Sequence, residues 1–120
     1  MIDYQKSRAG IMEAETPKQF FEETLPARFQ PQKAKDVDII VQLNISGLDG
    51  GNWTVIIKDQ QLHVTEGTHP TPTLTLKITE KDLLDIANKK LSAEKAFFTG
   101  KIQFRGNIAN ALKLRDAGFL

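Results

Sequence analysis

The middle of the chain alternates apolar and polar residues with a period of two, which is the pattern of a half-buried β-strand. Three consecutive runs follow it, at 38–47, 53–58 and 61–66, separated by the turns 48–52 and Asp59–Gln60. They predict a three-stranded antiparallel meander with one apolar and one solvent-exposed polar face. The apolar face would carry Ile39, Val41, Leu43, Ile45, Trp53, Val55, Ile57, Leu62 and Val64, and the polar face Gln42, Asn44, Ser46 and His63.

Two further strands are predicted at 73–78 and 101–105, again from alternation of apolar and polar residues. Helices are predicted where the apolar spacing changes to three and four residues. Thr16, Thr79, Ser92 and Asn107 have the side chains of N-caps. The helix after Thr16 is predicted to kink or end near Thr24, because Pro26 follows, and a loose helix is predicted over Lys6–Glu15. The helix after Thr79 has apolar positions through Leu91, the helix after Ser92 ends at Gly100 in a left-handed cap, and the last helix runs to Gly118.

This order of elements predicts an α+β domain: a five-stranded, mainly antiparallel sheet covered on one face by helices. We expect residues 1–15 to form an N-terminal extension and residues 16–120 to form the domain. A chain of 120 residues buries roughly two-thirds of its unfolded surface, which suffices for a core without disulfides or metal.

Composition and charge narrow the class of protein. The chain has no cysteine, two histidines and a formal net charge of +1, and no run of ~20 apolar residues. These features predict a soluble, cytoplasmic protein without disulfides or thiolate zinc sites, and the start of the chain shows no secretory segment. The lysines are spread at helix and strand spacing rather than clustered with aromatic residues, so no nucleic-acid partner is predicted.

Catalytic motifs are absent. The sequence has no G-x-S-x-G, H-E-x-x-H, P-loop or G-x-G-x-x-G pattern. The glycines at 47–51 join two strands and precede no helix, so they cannot present a helix N-terminus to a phosphate. His63 lies on the polar face of a strand and His69 in a proline-containing loop, and both are expected to be exposed. We therefore predict a protein that is not an enzyme and needs no metal or cofactor.

Adjacent aromatic residues are the unusual feature. Phe97–Phe98 and Phe20–Phe21 each fall on a predicted helix, where neighbouring side chains point about 100° apart. Each pair therefore requires an apolar environment on two sides. Two interpretations satisfy this requirement: a well-covered core or dimer surface, or a tunnel between helices and sheet that holds an apolar ligand.

Residues 91–107, LSAEKAFFTGKIQFRGN, resemble the central motif of the sterol-carrier-protein type 2 domain family. The run Trp53–Asp59 is similar to that family's second strand, the segment 73–84 to its strand-to-helix junction, and Ala111–Leu114 to its final helix. The resemblance covers residues 16–120. The chain departs from the family pattern at Gln60 and at Lys89–Lys90, where glycines are common. It also lacks the C-terminal tripeptide of peroxisomal members.

The resemblance implies a non-catalytic carrier in which helices and sheet enclose an apolar cavity for a fatty acid, fatty acyl-CoA, sterol or similar lipid. The expected lining residues are Phe20, Trp53, Leu76, Ile78, Leu83, Ile86, Phe97, Phe98, Ile102 and Phe104. A charged end of the ligand would need a basic partner, for which the candidates are Lys89, Lys90, Lys101 and Arg105, each also interpretable as a plain surface charge. The protein would be a monomer or homodimer, with transient membrane-surface contact left open. The alternative function is a protein-interaction or assembly module that uses the apolar groove for a partner chain.

Overall fold

The computed structural model describes residues 13–116, and side chains through Lys113. Within this range the predicted α+β fold is confirmed. The strands are β1 (Ile39–Ser46), β2 (Gly51–Lys58), β3 (Gln61–Glu66), β4 (Leu74–Thr79) and β5 (Gln103–Gly106). Helix α1 consists of three consecutive segments, Pro17–Gln19, Phe20–Thr24 and Leu25–Arg28, and a 3₁₀ turn follows at Pro31–Lys33. The remaining helices are α2 (Glu80–Ala87), α3 (Ala93–Phe98) and α4 (Ile108–Asp116). Most of the helix predicted over Lys6–Glu15, and the end of the last helix at Gly118, lie outside the described residues.

The five strands form one sheet in the order β3-β2-β1-β4-β5. The meander β1-β2-β3 is antiparallel, as predicted, and β4 also pairs antiparallel with β5. Strand β4 lies parallel to β1, with Val41 opposite Leu74 and Ile45 opposite Ile78. The sheet is therefore mixed, with one parallel pair among antiparallel ones. A two-residue hairpin joins β2 and β3, and both Asp59 and Gln60 have positive φ angles, as a type I′ turn requires.

The core lies between the helices and one face of the sheet. The apolar side chains at odd-numbered positions of β1 and β2, and their neighbours on β4, face the helices and are buried. Phe20, Phe21 and Leu25 of α1 pack on this face, as do Leu83, Ile86 and Ala87 of α2. The alternation of the sequence correctly predicted the apolar face of β1 and β2.

Helix α1 begins at the predicted N-cap but extends further than predicted. The hydroxyl of Thr16 accepts a hydrogen bond from the N–H of Gln19 at 3.1 Å. Of the two predicted alternatives, a kink or an end near Thr24, the end is wrong, because the helix continues to Arg28. A π-helical turn over Phe20–Thr24 precedes Pro26. Its wider backbone leaves room for the proline ring, which in an α-helix would press against the carbonyl four residues earlier.

The later helices have the predicted caps. Thr79 Oγ1 accepts from the N–H of Asp82, Ser92 Oγ from that of Lys95, and Asn107 Oδ1 from that of Ala109. Gly100 follows α3 with a φ of 80°, the predicted left-handed conformation. Helix α2 ends at Ala87, however, and Leu91 lies beyond it in the turn before α3. Two side chains hold the C-terminal end of α2: Arg28 donates to the carbonyl of Ala87 at 2.5 Å, and Asn88 makes two hydrogen bonds with the backbone of Ala14.

The connection from β3 to β4 crosses the face of the sheet opposite the helices. It must pass β2 and β1, because β3 is an edge strand and β4 lies on the far side of β1. It buries Gln42, which was predicted to lie on a solvent-exposed face, so that prediction is wrong; it also buries Thr54. The physical reason is hydrogen bonding: Gln42 Oε1 accepts from the N–H of His69 at 2.7 Å, and Thr54 Oγ1 donates to the carbonyl of Gly67 at 2.9 Å.

Candidate functional site

Three of the candidate lipid-binding residues lie along one line on the helix-facing side of the sheet. Trp53, Leu43, Leu76 and Phe104 are neighbours in register across β2, β1, β4 and β5. Residues paired in register present their side chains to the same face. Three of the ten predicted residues, Trp53, Leu76 and Phe104, therefore form one row with Leu43 between them, and we call these four residues the central row.

One end of the central row is closed by aromatic packing. The ring of Phe21 stacks on Trp53 with a centroid distance of 5.0 Å and an interplanar angle of 19°. Phe20 meets Phe21 edge to face at 5.1 Å. All three side chains are buried, so this end of the interior is sealed from solvent.

The opposite end of the central row is open. Phe97 of α3 lies 4.8 Å from Phe104, centroid to centroid, and Phe98 meets Phe97 edge to face at 5.7 Å. Phe97 and Phe104 are half-buried, whereas Phe98 is 77% exposed. Helix α3 buries only Ala96 completely. A line of three rings therefore runs from solvent to the edge of the core, and we call Phe97, Phe98 and Phe104 the aromatic edge.

The other predicted lining residues are core residues. Leu83 and Ile86 of α2 are buried, as are Ile78 of β4 and Ile102 just before β5. Seven of the ten predicted residues thus belong to the buried core and Phe104 packs against it, whereas Phe97 is half-buried and Phe98 is exposed. Their assignment as a lipid site stays a prediction.

Phe21 was not predicted from the sequence as a site residue. The sequence does contain an indication of its position: Phe21 and Leu25 are four residues apart and therefore share one face of α1. Phe21 is fully buried and is the ring that stacks on Trp53.

Of the four basic candidates, two form ion pairs. Lys101 Nζ lies 3.7 Å from Asp82 Oδ1, and Lys90 Nζ lies 3.7 Å from Glu13 Oε2. Lys89 and Arg105 are exposed. A shorter ion pair lies within α2, where Lys81 Nζ is 2.8 Å from Asp85 Oδ2. The hydrogen bond from Lys81 holds the pKa of the Asp85 carboxyl below its ordinary value, and the same bond raises the pKa of Lys81.

A pocket of about 520 Å³ lies where β1 and β4 end. Of the ten predicted lipid-binding residues it is lined by Ile78 alone, and its lining is mainly polar: Asn44, Ser46, Asn52, Lys77, Thr79, Asp82, Gly100, Lys101 and Gln103, with Ile45 and Ile78. Among residues 13–116 no three His, Asp or Glu side chains are grouped to hold a metal ion. None of the helices in this range is both long and apolar enough to span a bilayer.

Comparison with known proteins assigns the family. Residues 21–117 match the model of the SCP-2 sterol transfer family, and the chain belongs to that family. The fold of its members is the one described above, a sheet of five strands with helices on one face. The family is one of lipid and sterol binding and transfer.

Individual relatives are similar over most of the chain. A non-specific lipid-transfer protein-like 1 from Caenorhabditis elegans is 31% identical over 86 residues, covering 70% of this chain and 73% of the relative. The solution structure of palmitated SCP2L2 from Aedes aegypti is 31% identical with a TM-score of 0.68, covering 80% of this chain and 88% of that one. Sterol carrier protein 2 from Oryctolagus cuniculus is 28% identical over 71% of this chain. The match spans only 16% of that longer protein, so this kind of domain also occurs within larger chains.

Proposed function

We propose that the protein binds an apolar ligand, of the fatty acid, fatty acyl-CoA or sterol class, between its helices and its sheet, and carries it without altering it. Membership of a sterol transfer family supports the ligand class. The palmitated state of the Aedes aegypti relative supports a fatty acyl chain as one such ligand.

The aromatic edge carries the proposal. Phe98 is a large apolar side chain with 77% of its surface in solvent, and Phe97 and Phe104 continue from it toward the central row. An exposed ring that is continuous with two half-buried rings forms an apolar surface of the kind found at ligand-binding grooves. Ligand entry at this end is favoured, because α3 is anchored by a single fully buried residue, Ala96, whereas α1 and α2 are each anchored by several.

The expected affinity is moderate and broad. Burial of a chain of ~16 carbons contributes up to about 12 kcal/mol at ~0.8 kcal/mol per methylene. Association costs of roughly 4–15 kcal/mol offset much of this contribution. One methylene more or less changes the binding free energy little, so the proposed carrier accepts ligands of several chain lengths.

The test is organic extraction of protein purified without detergent, followed by mass spectrometry of the extract. The proposal expects near-stoichiometric lipid. Titration of delipidated protein with palmitate should change the fluorescence of Trp53, which lies in the central row and is the chain's only tryptophan.

The competing function is an assembly module, supported by the occurrence of similar domains within longer proteins such as sterol carrier protein 2. An empty extract, together with no fluorescence change on adding palmitate, would favour that function and reject the carrier. A stable dimer in sedimentation, without lipid, would strengthen the same conclusion.

A further inference from the structure

The polar pocket contains an ordered row of side chains on the sheet face opposite the helices. Asn52, Asn44, Lys77 and Gln103 are neighbours in register on β2, β1, β4 and β5. All four line the pocket. Adjacent strands lie about 4.8 Å apart, so the three amides and the ammonium group follow one another across four strands. We call these four residues the polar row.

The polar row supplies hydrogen-bond donors, and its lysine is not paired with a carboxylate of the described residues. Among the residues whose side chains the structure describes, no carboxylate forms an ion pair with Lys77. Each amide carries an NH₂ group that donates two hydrogen bonds, and the ammonium donates three.

The second lysine of the pocket is neutralised by a carboxylate. Lys101 Nζ lies 3.7 Å from Asp82 Oδ1, and the side chain of Asp82 is only 14% exposed. Asp82 opposes the binding of an anion, and Lys101 offsets it. The lining therefore has a net charge of +1, contributed by Lys77.

The pocket and the apolar core share a wall. Ile45 and Ile78 are opposite each other in register on β1 and β4. Both line the pocket, and both are buried members of the core. They are the next pair after Leu43 and Leu76 of the central row, toward the end of the sheet.

We propose that this pocket binds an oxyanion, a carboxylate or phosphate group, through Lys77 and the amides of the polar row. Hydrogen bonds from charged donors to an oxyanion are the strongest that such a lining offers. The volume of about 520 Å³ lies within the range of small-molecule sites. One unit of positive charge matches a single carboxylate or a singly charged phosphate.

The oxyanion could be the head group of an amphiphilic lipid or a free anion from solution. Both would make the same hydrogen bonds with Lys77 and the amides of the polar row. The shared wall of Ile45 and Ile78 favours the lipid head group, since a tail attached to it would leave the pocket beside the apolar interior. That source rests on the proposed carrier function, whereas the free anion does not.

In the experiment, the protein is titrated separately with palmitate, 1-hexadecanol and inorganic phosphate. Binding is measured from the changes in amide chemical shifts in the NMR spectrum. Palmitate and 1-hexadecanol have tails of equal length and differ in the charge of the head group. The variants are Lys77→Gln, which removes the charge, and Lys77→Arg, which restores it. Lys58→Gln is the matched control, because Lys58 is an exposed lysine at the opposite end of the sheet.

The expected result is that Lys77→Gln weakens palmitate binding by about tenfold, that Lys77→Arg restores it, and that binding of 1-hexadecanol is unchanged. Loss of phosphate binding in Lys77→Gln with unchanged palmitate binding also supports the oxyanion site and identifies a free anion as its source. The protein could also bind phosphate through Lys77 but bind neither palmitate nor 1-hexadecanol. That result would reject the carrier function and still support the oxyanion site.

Three outcomes overturn the proposal. The first is equal binding of both anions by Lys77→Gln and the unmodified protein. The second is an equal loss of palmitate and 1-hexadecanol binding, which would indicate a structural role for Lys77. The third is the absence of any binding of phosphate or palmitate to the unmodified protein.

Discussion

Gln42 and Thr54 are register partners on β1 and β2 and are both buried beneath the connection between β3 and β4. Thr54 Oγ1 donates to the Gly67 carbonyl at 2.9 Å and lies 3.4 Å from Gln42 Oε1, which also accepts from the His69 N–H. Gln42 Nε2 in turn donates to Asn44 and to the carbonyls of Trp53 and Gly67. Gln42 and Thr54 thus attach the crossing segment to the sheet.

Replacement of this glutamine should destabilise the fold. Gln42→Ala leaves the part-buried N–H of His69 without its acceptor, and loss of the partner of such a group costs up to about 1–3 kcal/mol. The matched control is Thr65→Ala, an exposed position on the same face, which should change the free energy of unfolding by less than about 0.5 kcal/mol. Urea denaturation of both variants measures the difference. Equal midpoints would show that the connection is held by other contacts.

Two phenylalanines provide a matched test of the closed and open ends of the central row. Phe21→Ala should lower the free energy of unfolding by about 3–5 kcal/mol, because it removes a fully buried ring that stacks on Trp53. Phe98→Ala should lower it by less than about 1 kcal/mol, because most of that ring is already in solvent. Denaturation followed by circular dichroism compares them. A large loss in Phe98→Ala would contradict the exposed position of the ring.

Phe98→Asp should abolish lipid binding while the chain stays folded. A carboxylate at the aromatic edge places a charge where an apolar chain would enter, and its exposed position spares the core. Binding of palmitate, followed by Trp53 fluorescence, should weaken by at least about tenfold.

Leu48→Asp is the control for this variant, since Leu48 is an equally apolar, fully exposed residue in the turn between β1 and β2. It should bind palmitate as the unmodified protein does. Unchanged binding in Phe98→Asp would remove the aromatic edge from the proposed entry route.

The ion pair between Lys81 and Asp85 should be visible in the pH dependence of α2. The hydrogen bond from Lys81 lowers the pKa of Asp85 in the folded state. A carboxyl whose folded pKa lies below its unfolded value stabilises the fold above that unfolded value, and the contribution disappears as the pH falls through the folded pKa. Both side chains are at the surface, so the contribution to stability is small.

The measurement is an NMR titration of the Asp85 carboxyl carbon in the unmodified protein and in Lys81→Met. The pKa of Asp85 should rise in the variant, toward its ordinary value. High salt should reduce the difference between the two proteins, because the pair is exposed to solvent. An identical pKa in both would show that the ammonium of Lys81 does not hold the carboxylate in solution.

Local features of the sequence predicted most of the elements. Strand β3 has the predicted bounds, and Thr16, Thr79 and Ser92 cap the helices for which they were proposed. These features depend on side-chain alternation and on hydrogen bonds to a backbone N–H two or three residues away, so they are encoded within a few neighbouring residues. Apolar burial on β1 and β2 was predicted for the same reason.

The tertiary structure decided the features that depend on distant segments. The sequence of β4 contains no sign that it pairs parallel to β1, because alternation is the same in either direction. Nor does the sequence around Gln42 indicate its burial, which arises because residues 67–72 cross above it. The exposure of Phe98 and the alignment of the polar row likewise require the packing of α3 and the register of four strands. Local periodicity thus determined which residues form strands and helices, while long-range pairing determined which polar groups are buried, which apolar ring reaches solvent and where a pocket forms.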